Sequence, residues 1–103
     1  MVFAKKYGKL KSKTKKDYSS ILEDCAKVAK ERQKQYGSAG DSIQLTCDIL
    51  DLNFGIKLTV SDFAKVLVAL KLAREKFQHK DDNIIDAINY LAISLNERTD
   101  DKK

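Results

Sequence analysis

Proline and tryptophan are absent from the 103 residues, and glycine occurs only four times. Without proline, no helix is broken by a missing amide donor, and few glycines leave few low-strain left-handed turns. Histidine occurs once, as His79, and the two cysteines, Cys25 and Cys47, form no CxxC pair. A structural zinc site wants four closely spaced ligands, so one subunit has too few ligands of these kinds for it. A Cys–His nucleophile pair has no supporting signature either. Also missing is any apolar run of the roughly 20 residues that a membrane helix requires. The N-terminus lacks the apolar stretch of a secretory signal. These absences lead to the expectation of a small cytoplasmic protein without membrane contact, metal or cofactor.

What is present is charge, at 34% of residues, beside an ordinary 43% of hydrophobic ones. The net charge of +5 is unevenly distributed. Residues 1–16 hold Lys5, Lys6, Lys9, Lys11, Lys13, Lys15 and Lys16 and no acid, and the remaining chain carries 13 basic against 15 acidic residues. The basic character therefore belongs to a lysine-rich tail, and the body is near neutral. Such an arm attracts nucleic acid or free nucleotides at long range, although a solubilising tail is the plainer reading. Nucleic acid is expected to bind only through it.

From Asp17 onward the apolar residues recur at helical spacing. Tyr18, Ile21, Leu22, Cys25, Val28 and Ala29 make one stripe, ended by Gly37-Ser38-Ala39-Gly40. With Asp41 as cap, a second helix carries Ile43, Cys47, Leu50 and Phe54 and stops near Gly55. Residues 56–60 alternate but are too few to require a strand. Ser61 reads as the cap of a third helix with Phe63, Val66, Leu67, Leu70, Ala73 and Phe77 inward. Asp81 or Asp82 opens a fourth, with Ile84, Ile85, Ile88, Leu91, Ala92 and Leu95. Both cysteines sit on these stripes and read as small buried hydrophobes. The fold expected is all-α, a compact four-helix bundle over residues 17–96, between the lysine tail and a polar segment, 97–103. The third and fourth helices are apolar over more than half their circumference, which predicts burial between subunits in a homo-oligomer, expected to be a tetramer.

Several polar residues interrupt this pattern on the apolar side. Arg32 and Tyr36 are one turn apart, Lys71 and Arg74 are three apart, and Asn83, Asp86 and Tyr90 share a face. Read from periodicity alone, Asp86 neutralises Lys71 or Arg74 between helices, and the tyrosines edge the core. The alternative is a pocket in which cations hold phosphate and tyrosines stack on a base.

Arg32-x3-Tyr36-Gly37, Lys71-x2-Arg74 and Asp82-Asn83-x2-Asp86-x3-Tyr90 together resemble a group of small phage-encoded families. These include domains of unknown function and the nucleotide-modification-associated domain, and they are similar in turn to the all-α, MazG-like nucleotide pyrophosphohydrolases. The resemblance covers residues 32–95. It implies a MazG-like fold and a nucleotide ligand, in the cytoplasm of an infected host cell. The chain departs from those enzymes where they hold magnesium between two acidic pairs. One pair survives as Asn83-x2-Asp86, and the other is replaced by Lys71-x2-Arg74, whose cations would repel the metal. Asp48 and Asp51 are the other acids at that spacing, on what reads as a solvated face.

The function implied is non-catalytic binding, in its concrete form a phage anti-defence sponge that sequesters a cyclic nucleotide immune signal. Arg32, Lys71 and Arg74 would hold phosphate, Tyr36 and Tyr90 would stack, and Asn83 and Asp86 would read base or ribose edges. The alternative is a diverged magnesium-dependent nucleoside triphosphate pyrophosphohydrolase using Asp82, Asp86 and Asp48.

Overall fold

The computed structural model describes residues 17–98, and the lysine-rich segment and residues 99–103 lie outside it. Four helices follow in order: α1 over Tyr18–Tyr36, α2 over Ala39–Phe54, α3 over Val60–Phe77 and α4 over Asp81–Asn96. Among the described residues there is no strand, and Ile56–Thr59 connects α2 to α3 without regular structure.

Local chemistry explains the boundaries. Asp17 caps α1 by accepting the Ser20 amide at 2.9 Å, as its position predicts. Gly37, at φ +80°, ends the helix by turning the chain where a side chain would be strained. Gly55 ends α2 in the left-handed region, its amide donating to the Asp51 carbonyl at 2.9 Å and the following Ile56 amide to the Leu50 carbonyl at 3.4 Å. Two expected caps fall elsewhere. Ser38, not Asp41, caps α2, so the helix begins inside the glycine-containing turn and Asp41 joins its first turn. There its charge favours the positive end of the helix dipole. Thr59, not Ser61, caps α3, its hydroxyl accepting the Asp62 amide at 3.0 Å. Ser61 is turned inward instead.

The inward turn of Ser61 defines the central hairpin. α3 and α4 pack against each other far more extensively than any other pair. Ser61 Oγ donates to the Ser94 carbonyl at 2.8 Å, and Ser94 Oγ donates to the Ser61 carbonyl at 2.9 Å. These bonds satisfy buried hydroxyls, and buried Ala64 and Ala87 add two further small side chains to the hairpin. α2 lies on α3 through a cluster of Ile43, Cys47 and Val60, with Leu58, Phe63, Leu67 and Ile93 packed around it. α1 rests on α4, where Asn89 Nδ2 donates to the Cys25 carbonyl at 3.1 Å. Both cysteines are buried and free, as their stripe positions predict. Burial pushes both thiols up, helped by neighbouring Asp24 at Cys25 and Asp48 at Cys47.

The four-helix, all-α expectation therefore holds for the described residues. α1 and α2 flank opposite members of the hairpin, and this arrangement leaves a space between them over α4. No described helix is long and apolar enough to cross a membrane.

Candidate functional site

Asp86 lies on the buried face of α4 and is almost fully covered. A lone carboxylate there would be costly to desolvate, and two cations compensate it. Arg32 of α1 donates from Nη1 to Oδ1 at 2.7 Å, and Lys71 of α3 reaches Oδ2 at 2.8 Å. One carboxylate thus ties three helices together, and both of its oxygens are engaged. The two cations differ in exposure. The Lys71 side chain is 16% exposed, whereas that of Arg32 is 49% exposed. Lys71 is a partner within the fold, and Arg32 also faces outward.

The surface that Arg32 faces is a cleft of about 600 Å³ between α1 and α2, floored by α4. Arg32, Gln33 and Tyr36 line it from α1, Ser42 and Ile43 from α2, and Asn89, Tyr90, Ile93 and Asn96 from α4. Aliphatic floor, two tyrosines, one guanidinium and several amide and hydroxyl groups make up its chemistry. Its volume falls within the roughly 300–1,000 Å³ of small-molecule sites, though it is a half-open cleft and not an enclosed pocket. Gly37, also at the rim, brings backbone close to the opening.

Four of the seven residues singled out from sequence line this cleft: Arg32, Tyr36, Asp86 and Tyr90. Lys71 supports it from behind through Asp86. Arg74 and Asn83 are elsewhere. They line a second, smaller hollow of about 500 Å³ at the α3–α4 turn, with Phe77, Gln78 and Lys80. Arg74 is exposed, and Asn83 is buried with its amide donating to Glu75 Oε1 at 3.1 Å. Arg74 lies about 60° around α3 from Lys71 and most of a turn further along it, and only Lys71 reaches Asp86.

A buried polar cluster at that turn escaped the sequence reading. Glu75 accepts the Lys80 backbone amide at 3.0 Å, the Asn83 amide, and a bond with His79 Nδ1. His79 Nε2 lies 3.0 Å from Asp81 Oδ1. With carboxylates at both ring nitrogens, the imidazole holds its proton above the usual histidine range. The Glu75 bond is the main cause, and desolvation opposes it. The signal was available: Glu75 continues the inward row of Ser61, Ala64 and Lys71, with His79 four residues on. Among the described residues, no three histidine, cysteine or acidic side chains converge as a metal site.

The described residues thus define an all-α protein with an interhelical cleft beside an ion-pair triad centred on a buried carboxylate. Residues 20–98 match the family DUF6378, a domain of unknown function, and the chain belongs to that family. No curated protein and no solved structure matches the chain.

Proposed function

We propose that the protein binds a nucleotide in the cleft between α1, α2 and α4 and holds it without turnover. The observation that carries this reading is the half-exposed Arg32 at a cleft bearing Tyr36 and Tyr90. A guanidinium whose orientation is fixed by a buried carboxylate offers its remaining donors to a phosphate in a defined direction. Tyrosine faces suit a base, and Gln33, Asn89 and Asn96 supply donors and acceptors for its edge or for ribose hydroxyls. The site proposed is narrower than the seven residues read from sequence. Lys71 and Asp86 position Arg32, and Arg74 and Asn83 belong to the α3–α4 turn.

The way Asp86 is used supports binding without turnover. A magnesium ligand needs a carboxylate lone pair facing the metal, and both Asp86 oxygens face cations. Binding without hydrolysis makes the molecule a scavenger. In its concrete form it is a phage-encoded, MazG-like sponge that captures a cyclic nucleotide immune signal in the host cytoplasm.

The test is native mass spectrometry and calorimetry with a panel of mono-, di- and cyclic nucleotides. One member should bind at a stoichiometry of one per cleft and be recovered unchanged. Arg32→Ala should weaken it by ten- to a hundredfold, about 1.5–3 kcal/mol for a charge-assisted bond. No binding by any member would overturn the reading. Pyrophosphate release from a nucleoside triphosphate with magnesium, abolished by Asp86→Asn, would replace it with the pyrophosphohydrolase alternative.

A further inference from the structure

The outward faces of α2 and α3 carry a second set of apolar stripes, opposite the ones that make the core. On α2, Leu45, Ile49 and Leu52 follow one another at i, i+4 and i+7, and all are exposed. On α3, Val66, Leu70, Ala73 and Phe77 recur at i, i+4, i+7 and i+11 and are exposed, not inward as expected from sequence, because α3 turns Ser61 and Lys71 toward α4 instead. Leu52 and Phe77 are 87% and 89% exposed. The spacing is that of the seam along which two helices pack.

The charges beside the stripes are of opposite sign. α2 contains Asp41, Asp48 and Asp51 and no basic residue, although Lys57 just beyond it pairs with Asp51 at 3.1 Å. Around the α3 stripe stand Lys65, Arg74 and Lys76, all exposed, and Asp62 in the first turn is the one exposed acid of that helix. Like faces would repel: α2 against α2 brings acids together, and α3 against α3 brings cations together. Unlike faces match in both hydrophobicity and charge.

We infer that the α2 face of one copy packs on the α3 face of a second copy, giving a homo-oligomer. Reciprocated across a two-fold axis the contact closes as a dimer; unreciprocated it runs head to tail, into a ring where the rotation closes and a filament where it does not. Both arrangements cover stripes that water would otherwise meet. A contact of this kind lies away from the cleft floor on α4, so it stands whether or not a nucleotide binds there.

The experiment uses the full chain and two variants whose altered side chains are nearly fully exposed, so that the helices form in each. Leu52→Lys places a cation on the acidic face, and Phe77→Asp places an acid on the basic face. Mass is read by light scattering after gel filtration, and helix content by circular dichroism. The wild-type protein should run as a multimer, and each variant alone should fall to the mass of one chain with helicity retained. An equimolar mixture of the two should regain a multimer, because each variant keeps one intact face and the altered faces now attract. A monomeric wild type would overturn the inference and point to a different cover, such as the chain's own lysine-rich segment. A variant that alone keeps the wild-type mass, or a mixture that stays monomeric, would overturn the pairing of α2 with α3.

Discussion

At the scale of single residues, burial decides which charges belong to the fold and which face a ligand. Lys71 and Arg32 bond the same carboxylate, but their substitutions separate. Lys71→Met leaves one Asp86 oxygen buried without its cation and should destabilise the protein by about 1–3 kcal/mol. Arg32 is half in water, so screening reduces the stabilising part of its bond, and Arg32→Ala should shift melting much less. Thermal unfolding of the two variants side by side checks the order, and a larger loss for Arg32→Ala would refute it. His79 yields a pH prediction of definite sign. Its folded pKa is raised above the unfolded value of about 6.5, so the protonated ring stabilises the fold. That contribution is complete below pH 6.5 and is lost as pH rises through the raised value. Wild-type stability should therefore decline as pH rises above about 6.5 and through the raised value, and His79→Gln should flatten that decline. Denaturant melts between pH 6 and 9 measure it.

At the scale of elements, what was legible in the sequence was whatever depends on near neighbours. The stripes around Cys25, Cys47 and Ile88 announced the helices, and Asp17, Gly37 and Gly55 marked ends that need only local chemistry. Errors came where two residues competed for one role. Ser38 and Asp41 both suit a cap, as do Thr59 and Ser61, and the choice falls to tertiary contact: Ser61 is required opposite Ser94. The site was half legible for the same reason. Periodicity assigned Asp86 and Lys71 to buried faces, but which of Lys71 and Arg74 meets Asp86 depends on how α3 is rotated against α4. That Arg32 arrives from α1 is a long-range fact, 54 positions away in sequence. The caps provide the check. Thr59→Ala should cost about 0.5–2 kcal/mol through the lost α3 cap. Ser61→Ala should leave helix content unchanged while removing bonds to Ser94. A loss of helicity confined to Ser61→Ala would restore it as the cap.

For the whole molecule, the unequal packing of the four helices has a consequence for how the cleft exists in time. α3 and α4 form a broad interface, whereas α1 meets α4, and α2 meets α3, over a short stretch; of the two, α1 buries only Cys25 and carries Tyr18 and Leu22 in water. An element held by so few partners opens at lower free energy than the pair it leans on. α1 supplies Arg32 and Tyr36, so the wall of the cleft is the part of the protein that detaches first. Amide hydrogen exchange should run fastest in α1 and slowest where α3 faces α4. A compound lodged in the cleft should then slow exchange along α1 selectively, by an amount set by its concentration relative to its Kd. The cleft is in that sense a clasp: whatever it holds also keeps the first helix fastened to the other three.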